Sequence, residues 1–152
     1  MLQHVSSGDP SVESLSRDCF HELRAIYSPN KTVEPTSGKD EWVTYAYYIE
    51  TKVIACIKVK LTNSELQLSG LAVERASRNQ GIARRLITAL CELYNSVNCL
   101  SVWCVEETGN VVVFEALGFE VLQSEKSTLF SLTNGNPATE VKLVYSIRNT
   151  LG

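Results

Sequence analysis

The chain has 152 residues, 44% hydrophobic and 20% charged, with 14 basic against 17 acidic side chains and a net charge of -3. That length suits one domain, here residues 1–152, burying about two-thirds of the surface its unfolded chain exposes. The mild acidity leaves no electrostatic footprint for a nucleic acid, and no stretch reaches the ~20 apolar residues that cross a membrane or forms the apolar core of a signal peptide.

After an extended start, "LQHVSS", the run Asp9-Pro10-Ser11 marks a helix entrance. "SVESLSRDCFHELRAIY" then sets Val12, Leu15, Cys19, Leu23 and Ile26 on one helical face. Residues 28–40, "SPNKTVEPTSGKD", carry two prolines and a glycine and read as a loop. "EWVTYAYYIE" and "KVIACIKVKL", joined near Thr51, read as a β-hairpin whose second arm turns Val53, Ala55, Ile57, Val59 and Leu61 to one face. Trp42, Tyr45, Tyr47 and Tyr48 in the first arm read as sheet packing or a subunit contact for the most part, with the lining of a pocket as the alternative. "TNSE" turns into a third strand, "LQLSGLAV", where Gly70 predicts a bulge. A helix from Gly81 to Asn95 buries Ile82, Leu86, Leu90 and Leu93, with Val97 just beyond it. "CLSVWCV" has the continuous apolarity of a strand covered on both faces. A second helix, "NVVVFEALG", stops at Gly118. "FEVLQSE" and "VKLVYSIR" are the last strands, joined by "TNGNPATE". The order predicts an α/β (α+β) fold: a mixed, mostly antiparallel sheet with a parallel central pair, flanked by helices. The five cysteines lack CxxC spacing and make no zinc pattern with His4 and His21, so they read as reduced core thiols of a cytoplasmic protein without a metal.

Chemistry concentrates in "LAVERASRNQGIARRLI", residues 71–87. At Arg78-Asn79-Gln80-Gly81-Ile82-Ala83 the chain opens a helix whose first amides lack intrahelical acceptors. The helix dipole adds positive charge there. Gly81 and Ala83 keep side chains clear, while Arg78 and Arg84 supply full charges, so the segment is built to cradle a phosphate. GxxxxGK[ST] and GxGxxG are both absent, which sets aside P-loop and dinucleotide folds.

This stretch resembles motif A of the GNAT superfamily of acetyl-CoA-dependent N-acetyltransferases. There a small apolar triplet, here Leu71-Ala72-Val73, precedes (Q/R)-x-x-G-x-(G/A), matched by Arg78, Gly81 and Ala83. "VFEALGFEVL" is similar to the family's motif B, and the two matches cover residues 53–123. The resemblance implies acetyl-CoA as acyl donor and a small-molecule or peptide amine as acceptor. It implies that Leu71, Ala72 and Val73 pair with the pantetheine arm. The Val73 amide would polarise the thioester carbonyl, and the amides of Asn79, Gln80, Gly81, Ile82, Ala83 and Arg84 would hold the pyrophosphate. The family also parts its two parallel strands to admit the cofactor, here with Gly70 at the bulge.

The pattern departs from the family at the acid and the base. The usual Tyr position holds Phe114, which cannot donate a proton, leaving Tyr94 or a water as sources. The usual Asn position holds Glu107, with Asn110 as a substitute contact to the cofactor. The usual strand Glu is Gln67, and Glu65 lies two residues earlier on the same face. Both are the candidate base positions, and Cys104 is the one cysteine near the expected thioester. An acyl-CoA-binding module without catalysis is the alternative these departures raise; a homodimer through edge strands is the expected assembly.

Overall fold

The computed structural model describes residues 1–6, 8–30 and 42–147. Strand β1 (Leu2–Val5) leads to helix α1 (Pro10–Leu23). Asp9 closes that helix's entrance, its carboxylate accepting from the Ser11 and Val12 amides at 3.0 and 3.2 Å, with Pro10 at the first helical position. Then follow β2 (Tyr27–Pro29), β3 (Val43–Ile49), β4 (Lys52–Thr62), β5 (Glu65–Val73), α2 (Ile82–Leu93), β6 (Cys99–Val105), α3 (Asn110–Ala116), β7 (Glu120–Leu132) and β8 (Pro137–Ser146). The strands form one sheet in the order β1-β3-β4-β5-β6-β8-β7-β2. β5 and β6 are its parallel pair, and the other pairings are antiparallel.

Alternation along the strands divides the core. Ile57 and Leu66 pack with Leu86 and Leu90 of α2 and Phe114 of α3. Cys56, next to Ile57 and therefore on the opposite face, packs with Ala46, Ala72 and Val12 of α1. The helices thus cover the sheet from two sides.

The parallel pair is joined over only part of its length. Glu65–Leu68 stands in register with Cys99–Val102. Beyond that point β5 pairs with β4 alone and β6 with β8 alone. The cause is local: Lys58 faces Ser69 while Cys56 faces Ala72, so Gly70 and Leu71 together oppose Ile57. Gly70 takes φ +67, the left-handed conformation such a bulge asks of its first residue. The bend carries β5 away from β6 and opens a gap between the strands.

Several expectations change in detail. A bulge at Tyr47/Tyr48 leaves Ile54 as the extra residue of β4, so Val53 turns to the α1 side while Ala55, Ile57 and Val59 keep the other. Leu61 and Leu93, expected inside, are each 54% exposed, because both lie at the ends of their elements. α1 stops at Leu23, so Ile26 and Tyr27 are not on it, and Tyr27–Pro29 forms β2, taking Ser28 and Pro29 from the expected loop. The rest of that loop, 31–40, lies outside the described residues. β7 runs on to Leu132 and β8 starts at Pro137, leaving a shorter turn than "TNGNPATE" predicts. On β6, Trp103 is 44% exposed, so that strand is not covered evenly on both faces. Among the described residues no helix is long and apolar enough to cross a membrane, and all five cysteines are free.

A Cβ at Gly70 meets only the Phe20 ring, at 3.8 Å, so its cost is conformational rather than steric. Gly70→Ala is expected to lower the unfolding free energy by about 1–2 kcal/mol, read from urea denaturation with an unchanged slope.

Candidate active site

The head of α2 keeps its donors open. Gly81 precedes the helix at φ +80, and the first bond back into the helix runs from the Arg85 N–H to the Gly81 carbonyl at 3.0 Å. Among the described residues no acceptor meets the amides of 79 to 84. A Cβ at Gly81 would touch nothing within 4 Å, and the neighbouring small side chain is Ala83. These amides face a groove of about 680 Å³ bounded by Leu71, Ala72 and Val73 on one side and by Val112, Val113 and Ala116 of α3 on the other. Asn79, Ile82, Ala83 and Arg84 all line it. Gln80 turns its side chain back, donating to the Ala76 carbonyl at 3.3 Å.

The two motif arginines are engaged by protein. Arg78 donates from Nε to the Val73 carbonyl at 2.9 Å, and from Nη2 to Glu22 at 3.2 Å and the Cys19 sulfur at 3.4 Å. Glu22 also pairs with Arg75. Arg84 donates to the Ala116 carbonyl at 2.7 Å, tying the head of α2 to the end of α3. Exposed contacts of this kind contribute little stability; here they fix the positions of the groove's walls.

The β5 edge offers a further open donor. The Glu74 N–H bonds the Ile54 carbonyl at 2.8 Å, and Ala55 stands opposite Val73. In an antiparallel ladder bonded pairs alternate with non-bonded ones, so the backbone of Val73 turns away from β4, towards the gap. Its carbonyl is taken by Arg78 and by the Cys19 thiol at 3.5 Å, while its N–H remains open.

A second cavity, of about 640 Å³, lies on the α1 side of the gap. Arg17 and Phe20 of α1, Lys58, Gly70, Trp103 and Glu140 are among its walls. Phe20, Leu71 and Asn110 line both cavities, so the two meet where β5 and β6 part. Asn110 opens α3, with its N–H on Thr108 Oγ1 at 3.1 Å.

Phe114 is buried, edge-on to Phe119 at 5.3 Å between centroids, and its ring borders the second cavity. Tyr94 lies at the far end of α2, its hydroxyl 2.7 Å from that of Tyr45; burial and that bond push it well above the usual phenol value. Glu65 and Gln67 sit where the strands are still paired, outside both cavities. Glu65 accepts from Ser101 and lies 3.8 Å from Lys142, and Gln67 donates to Thr62 at 3.4 Å. Glu107 accepts from the Thr139 N–H and hydroxyl, both at 2.9 Å. Burial pushes that carboxyl up, but the Thr139 bonds and the Lys126 charge more than offset it, so it sits below the usual carboxylate value. Among the described residues no group of three or more His, Cys, Asp or Glu side chains gathers as a metal site.

Arg17, Lys58, Trp103 and Glu140 belong to no sequence motif. Alternation was the available signal: Glu140 and Lys142 alternate with the buried Val141 and Leu143. Starting the last strand at Val141 left Glu140 in a turn.

The chain matches the Acetyltransferase (GNAT) family over residues 10–119. No curated protein matches the sequence. Among solved structures, it is similar to a GNAT family acetyltransferase from Elizabethkingia anophelis with acetyl-CoA bound, at 14% identity and a TM-score of 0.69, covering 97% of each chain. An aminoglycoside 6'-N-acetyltransferase complexed with coenzyme A superposes at TM-score 0.70 and 14% identity, covering 98% of each chain. The ribosomal-protein-S18-alanine N-acetyltransferase from Escherichia coli gives 0.65 at 15% identity, covering 99% of this chain and 96% of that one.

Burial pushes the Cys104 thiol up to about 11, against about 8.5 for a free thiol. Iodoacetamide at pH 8 is therefore expected to alkylate Cys104 in the folded protein roughly 100-fold or more slowly than a free thiol; mass-spectrometric labelling rates check this.

Proposed function

The chain belongs to the GNAT acetyltransferase family, and from that premise we propose that it transfers the acetyl group of acetyl-CoA to a primary amine, both bound at once. One observation carries the reading: a groove walled by open helix-head amides meets a second cavity at the gap between β5 and β6. One cavity suits the donor and the other the acceptor, with the reacting atoms at the junction.

The residues fit the donor. A diphosphate would lie on the amides of 79 to 84, which have no acceptor among the described residues and no side chain in the way at Gly81. The pantetheine arm would run along Leu71, Ala72 and Val73, and the open Val73 N–H would hold the carbonyl oxygen. Acetyl-CoA supplies the acetyl group as a thioester. Asn110 and Phe114 would flank it, the first from the head of α3 and the second as an apolar wall that excludes water. The protein works as one domain without a metal, and its five free cysteines suit a cytoplasmic setting. A homodimer through the β7 end of the sheet is supported by Val121 and Leu122, which are exposed in the part of β7 that β2, paired only with Phe130–Leu132, leaves uncovered.

A second reading, an acyl-CoA-binding module without turnover, is favoured by the lack of a hydroxyl at Phe114. Thiol release with a broad amine panel separates the two: binding without release supports the module.

Ala83→Glu places a like charge beside the diphosphate and is expected to weaken acetyl-CoA binding about tenfold or more, a loss of at least ~1.4 kcal/mol, with the melting temperature little changed. Calorimetry reads the first and a thermal scan the second. Among acceptors, freeing a lysine side chain of its proton at pH 7 costs about 4–5 kcal/mol and an α-amine about 1–1.5. α-Amines are therefore expected to react faster than free lysine ε-amines, which initial rates at fixed pH will decide.

A further inference from the structure

The acceptor cavity contains a carboxylate that no motif announces. Glu140 stands opposite Val105, the last residue of β6, at the level where β5 has already left that strand. Val141 next to it is buried against α2 and α3, so alternation turns Glu140 to the α1 side. There it shares the cavity with Gly70, Leu71 and Cys104. Its side chain is half-buried, and no described residue bonds or pairs with its carboxylate. Its strand is held in place at that point, because Glu107, which follows the end of β6, grips both the N–H and the hydroxyl of Thr139. By contrast, Glu65 is held by Ser101 and Lys142 at the closed end of the pair.

We propose that Glu140 is the general base of the reaction, taking a proton from the acceptor ammonium in the cavity where β5 and β6 part. This rests on the acyl-transfer reading above. The balance is simple. The acceptor arrives as R–NH3⁺, and one proton passes to the carboxylate, giving R–NH2 and a carboxylic acid. The acid returns that proton to water at the cavity's open mouth. The further N–H proton lost as the amide forms goes to the thiolate, which leaves as the thiol. The charged and titratable groups facing this region are Glu125, directly across on β7, Lys142 two residues along β8, Glu13 and Arg17 on α1, Arg24 just after it, Tyr27 on β2, and Lys58 on β4. Any of them can tune the base, but Glu140 stands closest along the sheet to the ends of the parted strands.

The test compares wild type with Glu140→Gln and Glu140→Asp. Glu140→Gln is expected to lower kcat/KM for the amine by about 100-fold or more at neutral pH, with the deficit shrinking as rising pH delivers the amine already free of its proton, and to bind acetyl-CoA as tightly as wild type by calorimetry. Glu140→Asp keeps the carboxylate and should retain the wild-type shape of the pH profile at a reduced rate. Wild-type rate and pH profile in Glu140→Gln overturn the assignment while leaving the acyl-transfer reading intact. A loss of acetyl-CoA affinity equal to the loss of rate also overturns it, since that marks a structural role. Failure of wild type to bind acetyl-CoA overturns the acyl-transfer reading itself, and this assignment with it.

Discussion

The whole arrangement depends on a parallel strand pair that stops pairing halfway. Main-chain donors and acceptors left inside a protein without partners cost about 1–3 kcal/mol each, so folds rarely leave them. Here β5 gives up its bonds to β6 after Leu68. The left-handed Gly70 makes this possible: it lets β5 bulge against β4 without losing that second ladder. The groups so released stay tolerable because they border open cavities. An open edge facing a groove is a stored capacity to bind, since any ligand with amide-like groups can complete the ladder.

A second set of free donors lies at the head of α2, a short turn after β5 ends. Every helix has such donors; what differs here is the surroundings. Gly81 presents no side chain, and Arg78 and Arg84 are occupied in bracing α1 and α3. Backbone dipoles add a field of fixed direction to the charge of Arg84, whose carbonyl partner leaves it uncompensated. That field holds its direction better than long flexible cations would, because the amides cannot rotate out of place. The arginines contribute by fixing the walls, a role that their charge alone did not reveal.

How far the sequence could be read follows from the range of the interactions involved. Gly70, Gly81 and the 3.6-residue periodicity of α2 are local signals, and the bulge, the helix head and the buried Leu86 and Leu90 follow them. The parallel pair was legible because a strand, a helix and a strand in succession admit few arrangements. What escaped was decided across the sheet. The flip at Ile54 comes from pairing with β3, and the exposure of Trp103 depends on how little of that face α1 covers. Glu140 was hidden by an uncertainty of a few residues in where β8 begins, enough to place a strand residue in a turn. Phe114 was recognised as a departure from its relatives, but only its contact with Phe119 shows that it serves the core while bordering the cavity.

The departures at acid and base are unequal in consequence. A thiolate leaving unprotonated at neutral pH is disfavoured by only about 2 kcal/mol, because thiols are already fairly acidic. An ammonium must lose its proton before nitrogen can attack at all, and for a lysine-like amine that costs about twice as much or more. Phenylalanine in place of a proton donor therefore removes the cheaper of the two services, and water reaching the open second cavity can replace it. The base is harder to do without. A site of this shape that keeps its acyl cradle and lacks a hydroxyl can still turn over provided some carboxylate faces the acceptor. On the acyl transfer proposed, the chemistry then shifts from the helix beside the donor's cavity to the strand beside the acceptor's.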